Sequence, residues 1–185
     1  KMSVKYQYLN RKLILGKKRN LSHQLCSGEY IIYMDDDDYY YPSRISHAVS
    51  LLQESGKQIA GSSRLLIYFC HDKQLWESGP FGINHATANT FAMTKQFARS
   101  NFYNNTDTLN EEKFFLKNYS IPMAQLNPKQ TIICISHSDN TFDKKRMRNN
   151  GPSKNMRQIT NPQQSAAQQL LKDYQKIYEQ TKARH

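Results

Sequence analysis

The run Glu29-Tyr-Ile-Ile-Tyr-Met-Asp-Asp-Asp-Asp-Tyr-Tyr-Tyr-Pro42 constrains this chain more than any other stretch. A short β-branched and aromatic segment leads straight into four consecutive carboxylates, and a proline closes the passage. Four adjacent ionised aspartates repel one another, so holding them in one folded place costs stability unless a cation or ordered water offsets the charge. A solvated acidic loop is the usual fate of a charge run. Here apolar residues lead in and Tyr-Pro leads out, which favours a strand that delivers acids at its C-terminal tip to a metal-linked site.

The chain of 185 residues can bury one real core and carry an appendage. Its formal net charge of +11 suggests a polyanion partner until the charges are located. Residues 1–19 hold seven bases and no acid, residues 144–185 ten bases and two acids, and residues 20–143 nine bases and thirteen acids. An acidic centre between basic arms suits a cation site beside an anionic diphosphate at least as well as a DNA-binding face. Cys26, Cys70 and Cys134 are isolated and set in apolar runs, as expected of buried thiols in a reducing, cytoplasmic compartment. The six histidines show no zinc spacing, no secretory leader opens the chain, and no apolar run has the length of a membrane helix. These features predict a soluble protein.

The order of elements is legible in the periodicity. Val4–Leu9 alternates weakly as a strand would, and Leu13–Leu15 is a second apolar run closed by Gly16. Lys17 to Gly28 has Leu21 and Leu25 one turn apart with a glycine stop, which predicts a helix feeding a strand over Tyr30–Met34. Pro42 and the apolar positions Ile45, Ala48, Val49 and Leu52 predict an amphipathic helix ending at Gly56. Ile59–Cys70 gives one or two strands around Gly61-Ser-Ser, and residues 71–85 a loop or hairpin. Thr87–Met93 is β-like, Thr94 caps a short helix, and Asn110 caps another over residues 111–117 that carries Glu111 and Glu112 in its first turn. Pro122–Leu126 and Thr131–Ser136 follow as strands, the second ending at His137. Alternating strands and helices predict a three-layer α/β core of Rossmann type, with a mixed sheet flanked by helices, over residues 1–143. Residues 144–185 are expected to form a basic linker and a C-terminal amphipathic helix, docked on the domain or on a second copy as a homodimer.

Three acidic or imidazole groups therefore fall at element ends: Asp35–Asp38, Glu111 with Glu112, and His137. In open α/β sheets ligands sit outside the carboxyl ends of the strands, so all three are candidates to converge. Mg²⁺ or Mn²⁺ takes oxygen ligands, keeps several waters and bridges phosphates, and so needs only one or two protein carboxylates. The basic residues Lys17, Lys18 and Arg19, with Arg146 and Arg148, are candidates to neutralise the rest of a diphosphate.

Gly16-Lys-Lys-Arg-Asn-Leu, Ser27-Gly-Glu-Tyr-Ile-Ile and Met34-Asp-Asp-Asp-Asp-Tyr-Tyr-Tyr-Pro together resemble the GT-A-fold glycosyltransferases of the family-2 type. Asn89-Thr-Phe-Ala-Met and the Glu111-Glu112 pair are similar to that family's later landmarks. The resemblance spans about residues 13–137. It implies that Asp35, with Arg19, Asn20 and Lys17, faces a nucleoside-diphosphate sugar, a UDP-sugar being favoured, and that Asp37 is the direct ligand of Mn²⁺ or Mg²⁺. Asp35 and Asp38 stand as further metal carboxylates, and His137 resembles the late histidine that completes the metal shell. Glu112 takes the place of the family's usual Asp as the base that deprotonates a hydroxyl acceptor on a glycan, protein or small molecule, with Glu111 as second choice. The family usually opens with a strand–helix unit that holds the nucleobase, and this chain begins after that unit. The Asn/Lys/Tyr-rich composition fits an AT-rich genome such as that of a large DNA virus, which would put the protein in the host cytoplasm. Two rival readings are a metal-dependent nucleotidyltransferase, which would want a Gly-rich phosphate loop, and a non-catalytic basic module for nucleic acid or another polyanion.

Overall fold

The computed structural model describes residues 3–105, 111–137 and 155–160. The expected C-terminal helix, its role in a homodimer, the Asn110 cap and the arginines 146 and 148 all lie outside these residues. In chain order the elements are α1 (Leu15–Leu25), β1 (Tyr30–Ile32), β2 (Tyr39–Tyr40), α2 (Arg44–Ser55), β3 (Ile59–Gly61), β4 (Leu65–Phe69), β5 (Gln74–Ser78), β6 (Ala92–Thr94), α3 (Lys95–Ser100), α4 (Glu111–Phe115), β7 (Ala124–Gln125), β8 (Ile132–Ser136) and β9 (Met156–Gln158). Short 3₁₀ turns at Ala88–Thr90 and Pro128–Gln130 precede β6 and β8.

The mixed α/β character is as expected, but the strands divide between two mixed sheets. The first has the order β1-β6-β3-β7, with β6 antiparallel to both neighbours and β3 parallel to β7. The second has the order β2-β8-β4-β5-β9, in which only β4 and β8 run parallel. The stretch Ile59–Cys70, expected as one or two strands around Gly61-Ser-Ser, is two strands, separated by Ser62, Ser63 and Arg64 and lying in different sheets. These link residues are tied by their amides, Ser62 N–H to Thr90 Oγ1 and Ser63 N–H to Gln125 Oε1. Hydrophobicity alone does not reveal such a change of sheet, because both strands are buried on both faces.

Around the first sheet the three-layer expectation holds. Ala60, Ala92 and Ala124 give one face small side chains, onto which α2 lays Ala48 and Leu52. Ile31, Ile59 and Met93 point to the other face, into a cluster with Phe91, Phe97, Tyr103 and Phe115. The Tyr103 and Phe115 rings stack there with centroids 4.1 Å apart and planes at 2°. Gly16 lets α1 close on this layer, since a β-carbon at that position would lie 2.3 Å from the carbonyl oxygen of Asn104.

Local differences follow from competition with tertiary contacts. Val4–Leu9 forms no strand, and Val4, Tyr6 and Tyr8 are exposed. Thr87–Met93 is a 3₁₀ turn before a short strand, because Thr90 turns its hydroxyl back to the Thr87 carbonyl at 2.7 Å. Thr94 caps α3 as expected, accepting from the Phe97 amide at 3.1 Å. Met156–Gln158, from the stretch assigned to the basic linker, adds the outer strand β9, where Arg157 Nε donates to Glu77 at 2.8 Å and Arg64 pairs with the same buried carboxylate.

Candidate active site

β1 ends at Ile32, and the chain then runs through Tyr33 and Met34 into the aspartates, with Asp36 and Asp37 in a turn before β2. The four carboxylates have four different environments. Asp36 is exposed and faces solvent. Asp38 is buried, accepting from the Ile135 amide of β8 and from Asn89 Nδ2, both at 2.9 Å. Just before the start of β2 its side chain extends the pairing of that strand with β8. Asp35 has its own amide held by the Tyr40 hydroxyl at 2.8 Å, and that hydroxyl donates onward to the Asn89 carbonyl at 3.2 Å. Burial raises the Asp35 pKa, and the neighbouring Asp38, Asp37 and Asp36 add to the rise while Arg19 opposes it. Asp37 is partly exposed and lies 3.5 Å from His137 Nε2, at the end of β8.

A carboxylate oxygen and an imidazole nitrogen at this separation, one side open to solvent, form a donor pair that fits a divalent cation keeping much of its water. A four-residue shell of Asp35, Asp37, Asp38 and His137 is not assembled: among the described residues no three His, Cys, Asp or Glu side chains converge on one point.

The second acidic cluster sits at the start of α4. Glu111 is buried and paired with Arg19 of α1, Nε to Oε1 at 3.1 Å. The Arg19 guanidinium also lies 4.8 Å from the centre of the Tyr33 ring, a cation–π distance. Burial works against its charge, but Tyr103, Tyr33, Asp35 and Glu111 outweigh that, and its pKa is raised. Arg19 therefore stands between the two acidic clusters and favours charge on each. Glu112, half-buried, has its pKa raised by burial first and by the adjacent Glu111, with its own backbone and Arg19 opposing. A carboxylate so shifted is a better proton acceptor near neutral pH than an ordinary Glu.

Asn20 and Lys17 are the other residues expected on the donor side. The Asn20 side chain bonds the backbone of Tyr103 at both ends, Nδ2 to its carbonyl and Oδ1 from its amide, each at 2.9 Å. Lys17 is exposed on α1.

Sequence reasoning also missed residues that shape the site: Tyr40 beside the Asp loop, and Tyr33 and His23 beside Arg19; Asn89, expected only as part of a later family landmark, holds Asp38. His23 Nε2 and the Tyr33 hydroxyl are 2.5 Å apart. Burial first, and then Arg19, lower the His23 pKa to about 4, while burial lifts Tyr33 to about 12. The tyrosines gave no polar signal because their rings count as core in any hydrophobic pattern. A cavity of about 440 Å³ lined by Lys5, His23, Ile31, Lys95 and Arg99 lies beside the end of α1, and none of the candidate carboxylates line it.

Compared with known proteins, residues 1–125 match the family model described as glycosyl transferase family 2. No curated protein matches the chain. Among the described residues no helix is long and apolar enough to cross a membrane.

Proposed function

The chain belongs to glycosyl transferase family 2, and from that premise we propose that it moves a sugar from a nucleoside-diphosphate donor to a hydroxyl acceptor with inversion at the anomeric carbon. The observation that carries the reading is the convergence of an Asp-rich strand exit, Arg19 and the Glu111-Glu112 pair around one cation. Asp37 and His137 would hold Mn²⁺ or Mg²⁺, which when bound supplies Lewis-acid stabilisation of the departing diphosphate. Asp35 lies on the donor side beside Arg19. Glu112 is the base: it accepts the acceptor's hydroxyl proton as the oxygen attacks the anomeric carbon, and the sugar–phosphate bond breaks on the opposite face. Glu111, neutralised by Arg19, holds that helix start rather than taking the proton. Asp38 holds the loop, through Ile135 and Asn89, rather than binding metal.

A UDP-sugar is the favoured donor, and the acceptor is a hydroxyl of a glycan, a protein or a small molecule. The test is incubation with Mn²⁺ or Mg²⁺ and a panel of nucleoside-diphosphate sugars, followed by product analysis. Free nucleoside diphosphate and a glycosylated acceptor are expected. Pyrophosphate as product would mark a nucleotidyltransferase instead. Binding of polyanions that weakens steeply with salt and ignores chelator, with no turnover, would mark a basic binding module.

A further inference from the structure

Arg44, at the start of α2, is 1% exposed. Its Nη2 donates to the carbonyls of Thr90 at 2.8 Å, Phe91 at 3.0 Å and Tyr33 at 3.4 Å. Its Nε and Nη1 have no hydrogen-bond partner among the described residues, and no carboxylate there forms an ion pair with it. Burial lowers its pKa to about 10, so it remains charged at neutral pH. A buried charge without a counter-ion is costly, and an apolar residue of like volume is commonly as good or better for stability alone. The position of the three carbonyls gives the charge a purpose.

Tyr33 is the residue from which the chain leaves β1 toward Asp35. Thr90 and Phe91 follow Asn89, whose amide holds Asp38 and whose carbonyl accepts from Tyr40, the hydroxyl that holds the Asp35 amide. One guanidinium thus ties the entry to the aspartate loop to the turn that grips the loop from the other side. We propose that Arg44 is a positioning residue: through Tyr33 on one side and Asn89 with Tyr40 on the other, it fixes where Asp35 and Asp38, and with them Asp37, stand. Its consequence for metal affinity rests on the reading of this loop as the donor and metal site. Its consequence for the loop itself does not.

All three contacts leave from Nη2 at the tip of the arginine, and lysine carries its ammonium on a shorter stem, so a lysine moves the donor away from the three carbonyls. The test is Arg44→Lys, with Arg44→Gln as the second variant should the first not fold. Amide hydrogen exchange is followed at Asp35 and Ile135, whose N–H groups end on Tyr40 and Asp38, and at Met93 and Ile67, inside the two sheets. Exchange is expected to rise about tenfold or more at Asp35 and Ile135 with little change at Met93 and Ile67. A parallel titration with Mn²⁺ alone is expected to show affinity about 10–100-fold weaker than the unsubstituted protein. Equal acceleration at all four amides, or none at Asp35 and Ile135, overturns the proposal and leaves Arg44 a general stabiliser. Absence of Mn²⁺ binding by the unsubstituted protein overturns the metal reading instead, and the exchange pattern still decides the role of Arg44.

Discussion

The two acidic clusters of this protein handle their charge in opposite ways. At the aspartate loop, among the described residues, Asp38 accepts from two neutral donors, the Asn89 side-chain amide and the Ile135 backbone N–H, while the Tyr40 hydroxyl accepts from the Asp35 backbone amide. At the start of α4 an internal cation, Arg19, pairs with Glu111 directly. Neutral donors fix a carboxylate without themselves cancelling its charge, which suits the cation site proposed for this loop. An ion pair cancels charge locally, and what it leaves is Glu112, shifted toward basicity by burial. In the proposed function one cluster attracts a cation and the other takes up a proton.

Substitutions can break that contrast. The largest effect is expected from Asp37→Ala, which removes the partly exposed carboxylate beside His137: metal-dependent turnover should fall to the metal-free background, with calorimetry showing lost Mn²⁺ binding and an unchanged fold. Glu112→Gln should lower kcat by about 10²–10⁴-fold, the usual contribution of a positioned base. The sign of its pH effect follows from the raised pKa: ionised Glu112 is disfavoured in the folded state, so the carboxylate form costs stability above that pKa. The variant should therefore be at least as stable as the parent at neutral pH, and the acid limb of kcat/KM should lie above the ordinary Glu value. Arg19→Met leaves Glu111 buried without its partner and should cost about 3–5 kcal/mol in denaturant unfolding. A Glu111→Gln change in the same chain should recover part of that loss.

The smallest effect is expected at His23, which is neutral in the folded state because its pKa is lowered from 6.5 to about 4. Between those values the unfolded chain takes up a proton that the folded one refuses, so stability falls as pH falls through this window. In His23→Gln the thermal midpoint should decline less over the same interval. A parallel decline in both proteins would remove His23 from the acid response.

The aspartate run, the Arg-Asn helix and the Glu pair stood out in the sequence because charge next to apolar periodicity is conspicuous. So did the caps at Thr94 and Gly56, whose chemistry is local. What lay beyond reach was pairing at a distance. Nothing in Asn20 distinguishes a ligand contact from its two hydrogen bonds to the Tyr103 backbone, and nothing in Asp38 distinguishes a metal ligand from an acceptor for Ile135. The second sheet was hidden for the same reason, since β4 pairs with β8 at positions 67 residues further on. The strand expected at Val4–Leu9 shows the converse, an alternating pattern that finds no sheet edge to join among the described residues.

The bond from the Ile135 amide to Asp38 joins residues 97 apart in sequence. Contacts so distant close only after the intervening chain is largely ordered, because loop closure is unfavourable until other pairings offset it. The aspartate loop is therefore expected to acquire its final shape late in folding, when β8 docks between β2 and β4. Ile135 and His137 both lie past residue 125, where the family match ends. A chain cut there would keep all four aspartates of the loop and lose the strand that tells them where to stand.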